Sequence, residues 1–304
     1  MSRKRVIVTG GTGLIGGALV DLLSERGDEV VVLSRGAGSD SWDPADGRLD
    51  PKLLEGADAV VNFNGVSIGP STLLEAPTRR FTSKHRAAIL DSRVDSTRLL
   101  AETIASLDDK PAVFVSSSAI GYYGDTGDTP VDETGPRGDG FLADVVVAWE
   151  AAAEPARSAG VRLALPRTGI VLAREGGALA PLLPLFKAGL AGPLGGGGQW
   201  WSWITLEDEV RAIEHLIDGD LDGPVNLTAP SPVTQKHLFK AVGAKLGRPT
   251  VVPAPKFALD LALGKGLAQA IAYGSARVLP ARLEESGFDF GSPNIEQAVD
   301  QIFG

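Results

Sequence analysis

The feature that most restricts how this chain can fold is the run Thr9-Gly10-Gly11-Thr12-Gly13-Leu14-Ile15-Gly16 near its N-terminus. Before it, Arg5–Thr9 reads as a strand rich in β-branched residues. After it, Leu14–Arg26 reads as a helix with Leu14, Ala18 and Leu22 on one face, closed by Gly27. A strand, a glycine turn and a helix in that order place three glycines at positions with distinct duties. Gly10 permits the tight turn, Gly13 leaves the backbone bare toward a pyrophosphate, and Gly16 lets the helix lie close to the sheet. The helix N-terminus adds free N–H groups and the positive end of its dipole. The whole run, Thr9 to Gly16, is therefore expected to hold the phosphates of a dinucleotide.

The pattern that follows repeats this unit. Glu29–Ser34, Ala57–Asn62, Ala112–Ser117 and Val161–Arg167 read as strands, separated by helical stretches at Ser83–Ser106 and Phe141–Ala159. Such alternation predicts an α/β fold, a doubly wound parallel sheet with helices on both faces and a smaller C-terminal lobe. A glycine-rich loop, Gly192–Gly198, and the aromatics Trp200, Trp201 and Trp203 precede an amphipathic helix over Leu206–Ile217 and a strand at Gly223–Leu227. We expect a dinucleotide-binding domain over residues 1–230, with part of the lobe inserted around 172–205, and a mainly helical domain over 231–304.

Composition removes several function classes. There are 38 acidic and 29 basic side chains, a formal charge of −9, which disfavours a nucleic-acid or anionic-membrane surface. No cysteine is present, so disulfides, thiolate catalysis and thiolate zinc sites are excluded. His85, His215 and His237 have no metal-ligand spacing, and no metal site is expected. No apolar run is long enough to span a bilayer or act as a secretion signal. The expectation is a cytoplasmic protein, monomer or homodimer, that acts on a small molecule.

The end of the second strand selects the cofactor. NAD sites place an acidic side chain there to accept from the ribose 2′-hydroxyl. This chain has Ser34-Arg35, and a guanidinium beside a hydroxyl suits a 2′-phosphate instead. The residues predict NADP(H).

Further motifs carry a family likeness. With the glycine loop, Asn62-Phe-Asn64-Gly65 after the third strand and Ser116-Ser117-Ser118 after the fourth resemble the short-chain dehydrogenase/reductase superfamily. Ser118-Ala-Ile-Gly-Tyr-Tyr-Gly124, Trp149-Glu150, Arg167-Thr-Gly-Ile-Val171, Gly198-Gln-Trp-Trp-Ser-Trp-Ile204, Gly223–Pro230 and Val278–Phe288 narrow the likeness. They resemble its atypical extended branch, the nucleoside-diphosphate-sugar epimerase-like family with a C-terminal domain of unknown function. The resemblance spans the chain. It implies a Rossmann fold, cofactor contacts from Asn62, Asn64, Gly65, Ser116 and Arg167, and an oxidoreductase or epimerase reaction on a small polar hydroxyl or carbonyl substrate such as a nucleotide sugar.

The catalytic pattern departs from that superfamily. Its usual serine, tyrosine and lysine find only Ser118 here; Phe141 stands at the tyrosine position and Val145 at the lysine position. Tyr122 and Tyr123, on the same loop as Ser118, are the phenols available nearby. Lys84, Arg86, Trp200 and Trp203 are candidate substrate contacts; the two cations read equally as surface charge, and the tryptophans more often as anchors of the lobe. Two functions stay open: an NADP(H)-dependent enzyme, and a non-enzymatic NADP(H)-binding redox sensor or regulatory protein.

Overall fold

Unbroken runs of valine, isoleucine and leucine suit strands buried on both faces, which is where a parallel sheet puts them. The computed structural model describes residues 3–35, 41–70, 72, 75 and 80–304. Its first half runs β1 (Arg5–Thr9), α1 (Leu14–Glu25), β2 (Glu29–Leu33), β3 (Ala59–Asn62), α2 (Ser83–Ser106), β4 (Val113–Ser116), β5 (Ser118–Ala119) and β6 (Pro130–Val131). Then come α3 (Phe141–Ala152), α4 (Glu154–Ser158) and β7 (Arg162–Thr168). The sheet order is β12-β7-β4-β3-β1-β2, with β12 at Gly223–Leu227 and β5 beside β7, and every pairing is parallel. The chain leaves β1 toward β2 and returns across it to β3. That reversal opens a crevice at the carboxyl ends of β1 and β3, where doubly wound folds bind ligands.

Alternation along β1 divides the core. Val6 and Val8 pack with Leu19, Leu23, Val61, Val115 and Ile213 on one face, under α1 and the helix α6 (Leu206–Asp218). Ile7 points the other way, with Val60, Phe114, Leu100, Ile104 and Leu163, under α2 and α4.

A third core belongs to the lobe. It is built from β8 (Ile170–Ala173), β9 (Gly176–Gly177), α5 (Leu183–Lys187), β10 (Trp200–Trp201), β11 (Trp203–Thr205), β13 (Val233–Thr234) and α7 (Gln235–Lys245). Leu172, Phe186, Trp201, Trp203 and Phe239 meet there with Ile295 and Val299 of the C-terminal helix. The tail continues through α8 (Lys256–Leu263), α9 (Lys265–Ala268), β14 (Arg277–Val278), α10 (Ala281–Glu285) and α11 (Ile295–Phe303). It folds back on the main body: β14 pairs with β6, and Leu283 enters the core under α6. The β8–β9 turn reaches the glycine loop, since a Cβ on Gly176 would lie 2.7 Å from Leu14 Cδ1.

The helix expected over Phe141–Ala159 is two helices, Phe141–Ala152 and Glu154–Ser158, sharing Ala153 as a cap. Pro155 is the cause: it has no N–H to donate and its ring would strike the carbonyl one turn back, so it serves only in the first turn of a new helix. Among the described residues no helix is long and apolar enough to cross a membrane.

Candidate functional site

The glycine loop has the shape its spacing predicts. Gly10 has φ +69°, and a Cβ there would lie 2.9 Å from the Phe63 carbonyl. A Cβ on Gly16 would lie 2.3 Å from Gly10 O, so only glycine lets α1 approach. Gly13 differs: its Cβ would meet nothing but Gly10 O at 3.3 Å, and beyond that the space is open. Gly13 caps α1 without any side-chain hydrogen bond, and the first turn holds no acidic residue. The donors of that turn are therefore unclaimed and the dipole is uncompensated, a donor set that fits a dinucleotide's pyrophosphate. Ser34 and Arg35 lie exposed just past β2, and Arg35 has no partner among the described residues. The five positions after Arg35 lie outside those residues.

At the crevice floor a polar chain ties the strand ends to the helices. Thr9 Oγ1 donates to Asn62 Oδ1 at 2.7 Å, and Asn62 Nδ2 donates to Thr97 Oγ1 at 2.9 Å. Trp149 Nε1 also donates to Thr97 Oγ1, at 2.9 Å, and Asn64 N donates to Asn62 Oδ1. Asn62 is wholly buried, so its side chain fixes this junction from beneath. Asn64 Nδ2 reaches the Ser92 carbonyl, and Gly65 abuts the Arg93 guanidinium, 3.1 Å from where a Cβ would be.

Beyond β4 lies a second network. Ser118 Oγ donates to Glu150 Oε1 at 2.6 Å. Arg167 grips the same carboxylate with both arms of its fork, Nε to Oε1 at 2.8 Å and Nη2 to Oε2 at 2.9 Å. Its Nη1 donates to Tyr123 Oη at 3.0 Å, and Tyr123 Oη donates to Asn226 Oδ1 at 2.8 Å. Asn226 N in turn donates to Glu133 Oε1. Burial alone would lower the Arg167 pKa, but the Glu150 carboxylate outweighs it and holds the pKa raised. Burial likewise raises Tyr123, against the pull of Arg167.

The two tyrosines thus differ. Tyr123 is buried with its hydroxyl occupied on both sides. Tyr122 is half-buried, its ring 3.5 Å from the Arg167 Cζ, and its hydroxyl has no hydrogen bond among the described residues. Ser116, at the end of β4, is buried with an unpartnered Oγ among the described residues.

The remaining candidates are scattered. Phe141 packs edge-on against Phe81 with Arg86 over its ring at 4.2 Å, and Val145 is buried. Lys84 is exposed on the surface of α2. Trp200 Nε1 donates to Asp128 Oδ1 at 2.8 Å, while Trp203 is sealed inside the lobe core and reaches no surface. In the Gly195–Gly198 run, Gly195 N–H goes to Ala254 O and those of Gly196 and Gly197 go to Leu194 O, so these donors are taken up within the lobe. Sequence reading missed Arg93, Glu133, Glu209 and Asn226. A faint signal existed for Arg93, which lies seven positions beyond Arg86 on the same helical face.

Comparison with known proteins places this geometry among relatives. Residues 6–227 match the NAD dependent epimerase/dehydratase family, and residues 254–302 match the Domain of unknown function (DUF1731). Epimerase family protein Mb2239 of Mycobacterium bovis is 40% identical, over 98% of this chain and 97% of its own. The crystal structure of human epimerase family protein SDR39U1 (isoform 2) with NADPH superposes with a TM-score of 0.87 at 32% identity, covering 98% of each chain. The nucleoside-diphosphate sugar epimerase from Corynebacterium glutamicum gives 0.80 at 33% identity, over 100% of this chain and 59% of that one.

Proposed function

Because the chain belongs to the NAD dependent epimerase/dehydratase family, we propose that it is an NADP(H)-dependent oxidoreductase or epimerase acting on a small polar hydroxyl or carbonyl substrate. The observation that carries this reading is the open cradle at Gly13, with unclaimed donors on α1 and a free Arg35 past β2. The human relative's NADPH supports the choice of cofactor, and the corynebacterial relative supports a nucleotide-sugar class of substrate. The first turn of α1 would hold the pyrophosphate, and Ser34 with Arg35 the 2′-phosphate. When bound, the nicotinamide supplies hydride exchange at its C4.

This chain's own residues then orient the substrate oxygen. Ser118 donates its hydroxyl hydrogen bond to Glu150, which leaves its oxygen to act as an acceptor toward the substrate. Arg167 holds the Glu150 side chain in place with both arms of its fork, and its guanidinium stacks on the ring of Tyr122. The Tyr122 hydroxyl is the free donor. A neutral phenol is a poor base and a good hydrogen-bond donor to a carbonyl, which favours reduction.

Cofactor choice is tested by quenching of tryptophan fluorescence. NADPH is expected to bind about tenfold or more tightly than NADH, the worth of one charge-assisted pair, and Arg35→Ala should erase the difference. Equal affinities in the unaltered protein would remove the assignment. Turnover is tested by following NADPH absorbance with a panel of aldehydes, ketones and keto-sugars, comparing Ser118→Ala and Tyr122→Phe.

One observation favours a second reading. Phe141 and Val145 fill the positions where proton-transfer groups would stand on α3: Phe141 packs between Phe81 and the Arg86 guanidinium, and Val145 is buried. That is what a non-enzymatic NADP(H)-binding regulator would show. NADPH binding without oxidation by any carbonyl in the panel would favour it.

A further inference from the structure

The formal charge of −9 is unevenly spread along the chain. From Gly223 to Leu283 there are eight basic side chains and a single acidic one, Asp260, whose carboxylate already accepts from Tyr273 Oη. The acidic surplus lies in the rest of the chain. Because salt screens charges beyond about 8 Å, a partner responds to the face it meets and not to the whole molecule.

Part of this basic excess surrounds apolar side chains that stand in water. Val251, Phe257 and Leu261 are 76%, 75% and 74% exposed, and Leu190 and Val252 are exposed beside them. Two segments of the lobe are sewn together to make this edge. Ala254 N donates to Pro193 O at 2.9 Å, Gly195 N donates to Ala254 O at 3.0 Å, and a Cβ on Gly189 would lie 3.5 Å from Pro249 Cδ. From that seam α8 carries on, with Phe257 and Leu261 one turn apart on one face and none of its eight residues buried. Lys187, Arg248, Lys256 and Lys265 stand exposed on the same segments, and none pairs with a carboxylate among the described residues. Lys256 meets only the Tyr273 ring, its Nζ 5.1 Å from the centroid.

We propose that this edge of the lobe, the 189–195 segment with 248–265, is a peripheral docking surface for an anionic lipid bilayer. Single exposed apolar residues are ordinary on a protein surface, but a contiguous set bordered by unpaired cations marks an interaction site. Charge disfavours a second copy as the occupant, because a two-fold contact would set these cations against themselves. Shape disfavours a partner's helix or strand, since side chains three-quarters in water project instead of lining a groove. A bilayer needs no matching groove. It takes projecting aromatic and aliphatic groups at the acyl boundary and holds lysine and arginine against an anionic headgroup layer. The attachment is interfacial, as no helix among the described residues is long and apolar enough to cross a membrane. It does not depend on which reaction the crevice performs.

The test floats the intact protein on a density gradient with phosphatidylcholine vesicles, either plain or containing about one-third phosphatidylglycerol. Flotation is expected with the anionic vesicles and not with the plain ones, and it should weaken as salt rises. Phe257→Ser combined with Leu261→Ser removes two inserting side chains, and Arg248→Gln combined with Lys265→Gln removes two cations. Each pair should weaken partition by about tenfold or more. Melting temperatures should stay unchanged, because all four side chains are exposed. Absence of flotation with anionic vesicles, equal flotation with plain ones, or equal flotation of all three proteins would overturn the proposal. Concentration-dependent dimerisation that the Ser pair abolishes would overturn it too, assigning the face to a second copy. If the Ser pair fails to fold, the Gln pair decides alone by the same readout.

Discussion

Replacing Glu209 with Gln is expected to make the protein more stable at neutral pH, by a margin that widens as pH rises. Glu209 lies in the first turn of α6 with no exposed surface. Thr168 Oγ1 donates to its Oε1 at 2.7 Å, and its Oε2 has no partner. Burial pushes its pKa up from 4.5 to about 8, only partly opposed by the Thr168 bond. Below the unfolded pKa the group is protonated in both states and costs nothing. Above it the unfolded chain sheds the proton while the folded one retains it, so stability falls by about 1.4 kcal/mol per pH unit until the folded pKa is reached. By pH 7 the accumulated loss is on the order of 3 kcal/mol. Gln keeps the shape and the Thr168 bond but does not titrate. Urea midpoints taken at about pH 5 and at about pH 8 should converge for the two proteins at the lower value and separate at the higher. Parallel pH profiles would show that Glu209 is ionised in the folded protein and compensated.

Nothing in the local sequence marks Glu209 as buried. The run Leu206-Glu-Asp-Glu-Val210 reads as an acidic first turn, the usual complement to a helix dipole, and the structure indeed leaves Glu207 partly exposed. Asp208 turns inward to accept from Gly291 N and Ser292 N, and Glu209 follows it onto the sheet face. That inward turn depends on a contact with residues more than seventy positions away, which no window of periodicity can register. The same holds for the network at Ser118. Tyr123 and Asn226 meet across 103 positions, and Arg167 reaches Glu150 only because β7 runs back beneath the helix that carries it.

What the sequence did make legible was local. The helix α2 and the strand β12 have the limits read from the chain, Ser83–Ser106 and Gly223–Leu227. Thr82 caps α2 through its side chain, and Gly223-Pro224 ahead of Val225 marks the start of β12. The parallel order of the sheet followed from the alternation of strand and helix. The break at Ala153 was written in the chain as Pro155 but was overridden by the apolar period on either side of it.

The glycine loop carries the prediction with the sharpest outcome, because its three glycines separate binding from folding. Gly13→Val should abolish NADPH binding, a loss of roughly 100-fold or more, while the fold survives. At Gly13 the backbone has φ −82° and ψ 173°, an extended conformation open to any residue. A Cβ there meets only Gly10 O at 3.3 Å, which a shift of a few tenths of an ångström relieves. The two branches of valine then project into the open face where the α1 donors point, the volume a pyrophosphate would fill. Gly16→Ala is the contrasting case: its Cβ would sit 2.3 Å from Gly10 O and 3.0 Å from Gly11 Cα, both backbone, so α1 must move off the sheet. That variant should lose stability as well as binding. Tryptophan-fluorescence titration with NADPH, beside a thermal melt of each variant, separates the two effects. A Gly13→Val protein that melts normally and still binds NADPH would place the dinucleotide somewhere other than the first turn of α1.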